Sequence, residues 1–302
     1  MADQQDWETL FKDNKFVNNY KTGEQITGQF ALSLLDQSGL VKKANNNPSG
    51  PLVVLDNACG TGIVSSILHD KLDTTVKANW KLTCGDISPG MVEYTRRRMA
   101  RESWQNAEVK TVDAQDTKLP SNHFTYVVTS FAYMAVPKSL DALDDNTRIL
   151  QPGGTIAFST WIKPGWVTIV EKAIKTIPEN PPFPSTQEFL ERLGNGGWYS
   201  TSWIETQLQQ RGFVDIDVRT ESKALPLRVP EFVEMTMIMF PMIAKNWWTE
   251  QQREELLDKV RPALVKYLTD VYGEEGGDSY GMDGDSLNCT QGKPEIATTV
   301  WG

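Results

Sequence analysis

The sequence predicts an α/β fold with a doubly wound, mostly parallel sheet of seven strands. Between residues 52 and 160, short apolar runs alternate with segments of helical periodicity, and a glycine-rich turn separates the first run from the first helical segment. Strands that alternate with helices form parallel sheets covered on both faces. A chain of 302 residues with 39% hydrophobic side chains is long enough to bury such a core.

Seven apolar runs supply the predicted strands. They cover residues 52–55, 80–84, 108–112, 126–131, 155–160, 213–218 and 296–301. After the second run, Ser88 and Pro89 are typical of a helix cap and a first helical turn. The loop around residues 45–51 precedes the first strand.

Two helical segments lie outside this alternation. Residues 1–47 are predicted to form an N-terminal helical lid, and residues 48–302 the α/β domain. Within that domain, the segment of about residues 221–292 connects strands six and seven, and it is far longer than a compact connection requires. We therefore predict an inserted helical cap over the edge of the sheet where ligands bind.

Composition excludes several classes of function. The net charge of -9 repels phosphate backbones, and the arginines at 96–98 and 101 lie beside Glu93 and Glu102 on a predicted helix, so no nucleic-acid partner is expected. No apolar run is long enough to span a bilayer, and the acidic N-terminus lacks the features of a secretory signal. We expect a soluble cytoplasmic protein, with a small-molecule substrate and no obligate protein partner.

Polar residues at successive strand ends indicate a nucleoside site. The turn from Asp56 to Gly62 contains small residues at 58, 60 and 62, which let the backbone approach a ligand closely. Asp86 ends the second strand, where a carboxylate accepts hydrogen bonds from a ribose diol. Asp113 ends the third strand and is placed to accept the adenine amino group. Two acids disfavour a pyrophosphate, so the pattern favours S-adenosylmethionine over a nicotinamide dinucleotide. A doubly wound sheet that binds another nucleotide is the alternative.

The ordered motifs resemble those of class I methyltransferases. They are Asp56-x-Ala58-Cys59-Gly60-Thr61-Gly62, Asp86-Ile87-Ser88-x-x-Met91, Asp113-Ala114 with Leu119-Pro120, and Pro152-Gly153-Gly154. Ala58 departs from the glycine that is usual at its position. The resemblance implies a Rossmann-like methyltransferase fold, S-adenosyl-L-methionine as cofactor and S-adenosyl-L-homocysteine as product. The implied cofactor-binding residues are Tyr20, Asp56, Ala58, Gly60, Asp86, Ile87, Met91, Asp113, Ala114, Ser130 and Phe131.

A closer resemblance extends over nearly the whole chain. Phe16-Val17, Tyr20, Thr27-Gly28, the segments 54–60 and 80–86, Ser159-Thr160-Trp161, Pro182-Phe183-Pro184 and Trp248-Thr249-Glu250 are similar to the fungal gliotoxin bis-thiomethyltransferase family. The resemblance implies S-methylation of the two thiols of a reduced epidithiodiketopiperazine, a product of fungal secondary metabolism. The alternatives are O- or N-methylation of another fungal metabolite, or a regulatory protein that retains the cofactor fold without methyl transfer.

Aromatic residues at the same sheet edge are candidates for an acceptor pocket. Phe131, Tyr133, Trp161 and Trp166 are predicted to wall it, with ordinary core packing as the alternative. The methionines at 235, 237, 239 and 242 are more typical of core, and a pliable pocket wall is the alternative.

No catalytic base and no metal site are predicted. His69 and His123, the only histidines, fall at the sheet edge opposite the cofactor motifs, so proximity and orientation are expected to carry the reaction. The three cysteines have spacings that suit neither zinc nor a disulfide framework.

Overall fold

A computed structural model describes residues 20–193, 196–223, 228–273 and 294–301. The strands are β1 (Val53–Asn57), β2 (Lys81–Asp86), β3 (Ala107–Thr111), β4 (Phe124–Ser130), β5 (Leu150–Trp161), β6 (Phe213–Thr220) and β7 (Pro294–Trp301). They form one sheet in the order β3-β2-β1-β4-β5-β7-β6. The first five strands pair in parallel, and β7 is antiparallel to both β5 and β6. The predicted α/β, Rossmann-like architecture is confirmed.

Helices follow most of these strands. They are α1 (Lys21–Ser38), α2 (Leu40–Asn46), α3 (Ile63–Lys71), α4 (Thr74–Lys77), α5 (Pro89–Arg101), α6 (Ser139–Ile149), α7 (Gly165–Ile174), α8 (Thr186–Leu193), α9 (Thr201–Gln210), α10 (Val229–Trp247) and α11 (Glu250–Tyr272). Ser88 caps α5 by accepting a hydrogen bond from the Met91 amide, as its position before Pro89 predicts. Thr249 and Gln252 form a reciprocal capping box at α11.

The fifth strand begins earlier than the apolar pattern predicts. β5 starts at Leu150, which pairs with Phe124, and its register against β4 shifts before Thr155 pairs with Tyr126. Gly153 has a φ of 74° within this irregular stretch. Because the prediction relied on continuous apolar residues, it placed the strand's start only after the Pro-Gly-Gly segment.

Helix α1 is part of the core. Phe30, Ala31, Leu34 and Leu35 on one face of the helix are fully or almost fully buried. On its outer side, Ser33 donates a hydrogen bond to Glu221, just beyond β6. The described part of the predicted lid is therefore fixed on the sheet, while residues 1–19 of that segment lie outside the described residues.

The helices α10 and α11 follow β6 in the chain and pack against α7. Phe232 and Phe240 of α10, Val260 and Leu264 of α11 and Val170 of α7 are fully buried in one cluster. Among the described residues, no helix is long and apolar enough to cross a membrane.

Candidate functional site

The turn after β1 brings the backbone to the carboxyl edge of the sheet. The Cys59 amide donates to the Gly85 carbonyl at 2.9 Å, which ties the turn to β2. Gly62 has a φ of 75°, and a Cβ there would stand 2.8 Å from the Thr95 methyl. Ala58 adopts a φ of 54°, a conformation that favours glycine. The turn thus needs glycine at 62 and accepts the Ala58 methyl with strain.

Asp86 connects this turn to the end of β2. Its carboxylate accepts hydrogen bonds from the Gly60 amide at 2.8 Å and the Ser88 amide at 2.9 Å. Burial raises the pKa of the Asp86 carboxyl, and the two amide hydrogen bonds oppose that shift. The carboxylate is therefore an oriented, partly desolvated acceptor at the edge of the sheet.

A cavity opens directly above these strand ends, and we call it the strand-end cavity. It is lined by Tyr20, Ala58, Gly60, Asp86, Ile87, Met91, Val112, Asp113, Ala114, Gln115, Ser130, Phe131, Ala132, Ala135, Val136 and Pro137. Its space of about 880 Å³ includes the open mouth. The structure thus brings together the predicted cofactor residues, with the exception of Asp56.

A second cavity, which we call the aromatic cavity, adjoins the first. It is lined by Tyr20, Gly23, Ile26, Thr27, Trp161, Pro164, Gly165, Trp166, Met235, Thr236, Ile238 and Met239, around about 790 Å³ of space. Trp161 and Trp166 lie where the sequence predicts an acceptor pocket. Tyr20 lines both cavities.

Comparisons with known proteins identify the family of the chain. Residues 54–154 match a family model described as a methyltransferase domain. Over 269 residues the chain is 42% identical to methyltransferase tpcH of Aspergillus fumigatus, covering 89% of this chain and 94% of that protein. It is also 42% identical over 270 residues to acetylaranotin bis-thiomethyltransferase of Aspergillus terreus, with coverage of 89% and 92%.

The chain belongs to this methyltransferase family. A phosphoethanolamine N-methyltransferase of Haemonchus contortus, solved with S-adenosylhomocysteine, shares the fold at a TM-score of 0.52 and 14% identity. That similarity covers 96% of this chain and 60% of that chain. Class I methyltransferases use S-adenosylmethionine as methyl donor, as the sequence motifs imply.

Asp56 of the methyltransferase is buried beneath the glycine turn rather than in a cavity wall. Its carboxylate accepts hydrogen bonds from the Ser65 hydroxyl at 2.6 Å and the Ser65 amide at 3.2 Å. Desolvation raises the pKa of Asp56 to about 7 despite these bonds. Asp56 therefore fixes the start of α3 relative to β1.

Tyr133 does not line either cavity. It is fully buried, stacks on Trp198 with ring centroids 4.7 Å apart, and its hydroxyl accepts a hydrogen bond from the Asn146 amide group. The placement of Tyr133 in the acceptor pocket is therefore corrected to a core position. Phe131, two residues earlier, has a φ of 53°, and a 3₁₀ turn at Tyr133–Ala135 follows. The chain thus leaves the strand's alternation before it reaches Tyr133.

Helix α10 supplies cavity residues for which the sequence favoured a core position and gave a pocket wall only as the alternative. Met235, Ile238 and Met239 share one helical face through i, i+3 and i+4 spacing, and Thr236 lies beside them on the cavity wall. Met235 and Met239 are partly buried against core clusters and also line the cavity, whereas Met242 is buried. The helical spacing of these residues could be recognised in the sequence, but the cavity that they border could not be predicted from it.

The histidines lie away from both cavities. His69 occupies the last turn of α3, with its ring 6.3 Å from that of Trp104. The His123 amide donates to the Ile149 carbonyl just before β4 begins. These positions agree with the predicted edge of the sheet. In the described part of the chain, no group of three metal-ligating side chains is found.

Proposed function

We propose that this methyltransferase transfers methyl groups from S-adenosylmethionine to thiols of a small, largely apolar metabolite. The donor occupies the strand-end cavity, and the acceptor occupies the aromatic cavity. The observation that carries this proposal is the shared wall, since Tyr20 lines both cavities and Phe131 of the first stacks on Trp161 of the second. Reactants in the two cavities are therefore neighbours across this boundary.

The residues at the strand ends fit an adenosyl group. Asp86 retains capacity to accept hydrogen bonds from a ribose diol, and Asp113 stands at the next strand end of the same cavity. The rest of the lining is mainly apolar and suits the faces of a purine. When bound, the cofactor supplies an electrophilic methyl group on a sulfonium, and the protein's task is to hold the nucleophile in line with it.

The thiol acceptor is proposed from the family. The relative from Aspergillus terreus carries bis-thiomethyltransferase in its name, at 42% identity over 89% of this chain. A thiol has a pKa near ~8.5 and is partly ionised at neutral pH, so it needs no strong base. The positions of His69 and His123 outside both cavities support this choice over a phenol, whose pKa is near ~10. Orientation of reactants supplies about 7–11 kcal/mol of the barrier reduction.

Two segments are proposed to close the site. The α10 face containing Met235 and Met239 supports a cap over the aromatic cavity. Tyr20, at the start of α1, packs near Met91 and Met239 and supports the predicted N-terminal lid. Closure of this kind excludes water and aligns the reactants.

The test is transfer of labelled methyl from S-adenosylmethionine to matched acceptors. The panel contains a cyclic dithiol, the corresponding diol and the corresponding diamine, each analysed by mass spectrometry. We expect addition of one and then two methyl groups to the dithiol alone. Transfer to the diol or diamine in preference would favour O- or N-methylation, and S-adenosylhomocysteine binding without any transfer would favour a regulatory role.

A further inference from the structure

Thr236 carries a buried hydroxyl without a hydrogen-bond partner. The residue is fully buried on α10, and its Oγ1 has no partner within the described part of the chain. The same residue lines the aromatic cavity. Buried polar side chains in folded proteins are nearly always paired, so an exception at a cavity wall calls for an explanation.

The neighbouring threonine provides a contrast. Thr27 also lines the aromatic cavity, but its hydroxyl donates to the Gly23 carbonyl at 3.1 Å within α1. Apart from these two threonines and Tyr20, the lining consists of glycine and of apolar or aromatic side chains, and none of the described lining residues is charged. The wall of this uncharged, mainly apolar space therefore contains a residue, Thr236, whose hydroxyl is unused.

We propose that Thr236 is a specificity residue that donates a hydrogen bond to a neutral carbonyl oxygen of the acceptor. A charged group is disfavoured because the wall offers no counter-charge to offset desolvation. An amide or lactam carbonyl is a strong neutral acceptor for a single hydroxyl donor. This role of Thr236 rests on the proposed thiol methylation.

Three variants separate the hydroxyl from the shape of the side chain. Thr236→Val removes the hydroxyl and keeps the branched shape, whereas Thr236→Ser retains the hydroxyl. Thr27→Val is the matched control, since it removes a hydroxyl in the same cavity that already has a partner. Thermal melting checks the folding of each variant. The melting temperature of Thr236→Val should not fall, because the hydroxyl has no partner to lose.

The two probes are a reduced dithiol diketopiperazine, which carries lactam carbonyls, and 1,2-benzenedimethanethiol, which carries none. For the first probe, Thr236→Val should raise KM about five- to tenfold and leave kcat within twofold, as expected for loss of one neutral hydrogen bond. For the second probe the variant should match the wild type. Thr236→Ser and Thr27→Val should keep the wild-type ratio of KM values between the probes.

An unchanged KM of Thr236→Val for the diketopiperazine would overturn the proposal. An equal loss on both probes would also overturn it, because that result indicates a packing role. Direct calorimetric titration of both probes into wild type and Thr236→Val, with S-adenosylhomocysteine present, tests the hydrogen bond without turnover. Failure of the proposed function is distinct, since the wild type would then methylate neither probe while the calorimetric comparison still decides the role of Thr236.

Discussion

Phe131 and Trp161 stack with ring centroids 4.4 Å apart and an interplanar angle of 22°. Phe131 directly follows β4 and lines the strand-end cavity, whereas Trp161 ends the neighbouring strand β5 and lines the aromatic cavity. Phe30 of α1 meets both rings edge-on, at 5.7 and 5.5 Å. The aromatic wall of Phe131 and Trp161 between the proposed donor and acceptor sites is therefore stabilised both by the sheet and by Phe30 of helix α1.

Replacing Trp161 with alanine should separate acceptor binding from cofactor binding. Loss of the ring opens the aromatic cavity, so KM for a dithiol should rise at least about tenfold, or 1.4 kcal/mol. The dissociation constant of S-adenosylhomocysteine should change by less than about threefold, since Phe131 remains on the other side. Trp247→Ala, which removes a half-buried indole outside both cavities, is the control. Equal losses for both ligands would contradict the division into two sites.

Asp86→Asn should weaken binding of S-adenosylhomocysteine about ten- to a hundredfold, because hydrogen bonds to a charged acceptor contribute about 1.5–3 kcal/mol each. Burial raises the pKa of the Asp86 carboxyl. Affinity of the wild type should therefore fall with decreasing pH from a point above the ordinary carboxyl range, while the variant shows no such fall. Calorimetry over a pH series checks both. Asp116→Asn, an exposed carboxyl nearby, should bind as the wild type does.

Asp56→Asn should change how stability depends on pH. The folded-state pKa of Asp56 is raised to about 7, so the folded protein holds a proton that the unfolded chain releases near pH ~4. Ionisation then costs the wild type stability as the pH rises from ~4 to 7, by up to roughly 4 kcal/mol. The variant avoids this cost and retains an oxygen for both Ser65 hydrogen bonds. The difference in urea midpoint between Asp56→Asn and the wild type should therefore increase in favour of the variant as the pH rises through that range. Asp70→Asn, which replaces an exposed carboxyl, should show no such increase. A constant difference would exclude the buried carboxyl as the cause.

Arg98 joins α5 to α1 and to the glycine turn. It pairs with Glu24 and Glu102 and donates to the Thr61 carbonyl at 2.8 Å, with 9% of its side chain exposed. Arg98→Met should cost about 3–5 kcal/mol of unfolding free energy, because the largely buried Glu24 carboxylate, 13% exposed, loses its charged partner. Addition of Glu24→Gln should recover part of that loss in a double-mutant cycle.

Arg97→Met is the control that shows whether loss of any arginine on α5 lowers the free energy of unfolding. Arg97 is 66% exposed and 3.9 Å from Glu93, so its removal should change stability by about 0.5 kcal/mol or less. Chemical denaturation compares the two variants directly. Similar effects of both replacements would contradict the structural role of Arg98.

Replacing both histidines with asparagine should leave the rate on a dithiol within about tenfold, under 1.4 kcal/mol of barrier. Neither His69 nor His123 lines a cavity. The rate should rise with pH toward the pKa of the acceptor thiol and shift when a more acidic thiol is used. A profile fixed near pH ~6.5 for every acceptor, and lost in the variant, would indicate a histidine base.

The sequence by itself determined the order of strands and helices and the residues at the first strand ends. These features depend on local properties, since a glycine turn, a cap at Ser88 and an acid at residue 86 are set by their neighbours in the chain. Parallel strands bring their carboxyl ends to one edge of the sheet. The parallel order of strands is therefore enough to place Asp86 and Asp113 at the same edge.

Only the tertiary structure decided which residues line the proposed acceptor cavity. Tyr133 follows β4 as closely as the sequence suggests, but the left-handed conformation of Phe131 and the following turn direct its ring to Trp198. Thr236 and Met239 belong to a helix whose periodicity shows which residues share a face, and not which cavity that face borders. Local periodicity can be recognised in the sequence, whereas the surface against which each helix or strand face packs depends on contacts between segments far apart in the chain.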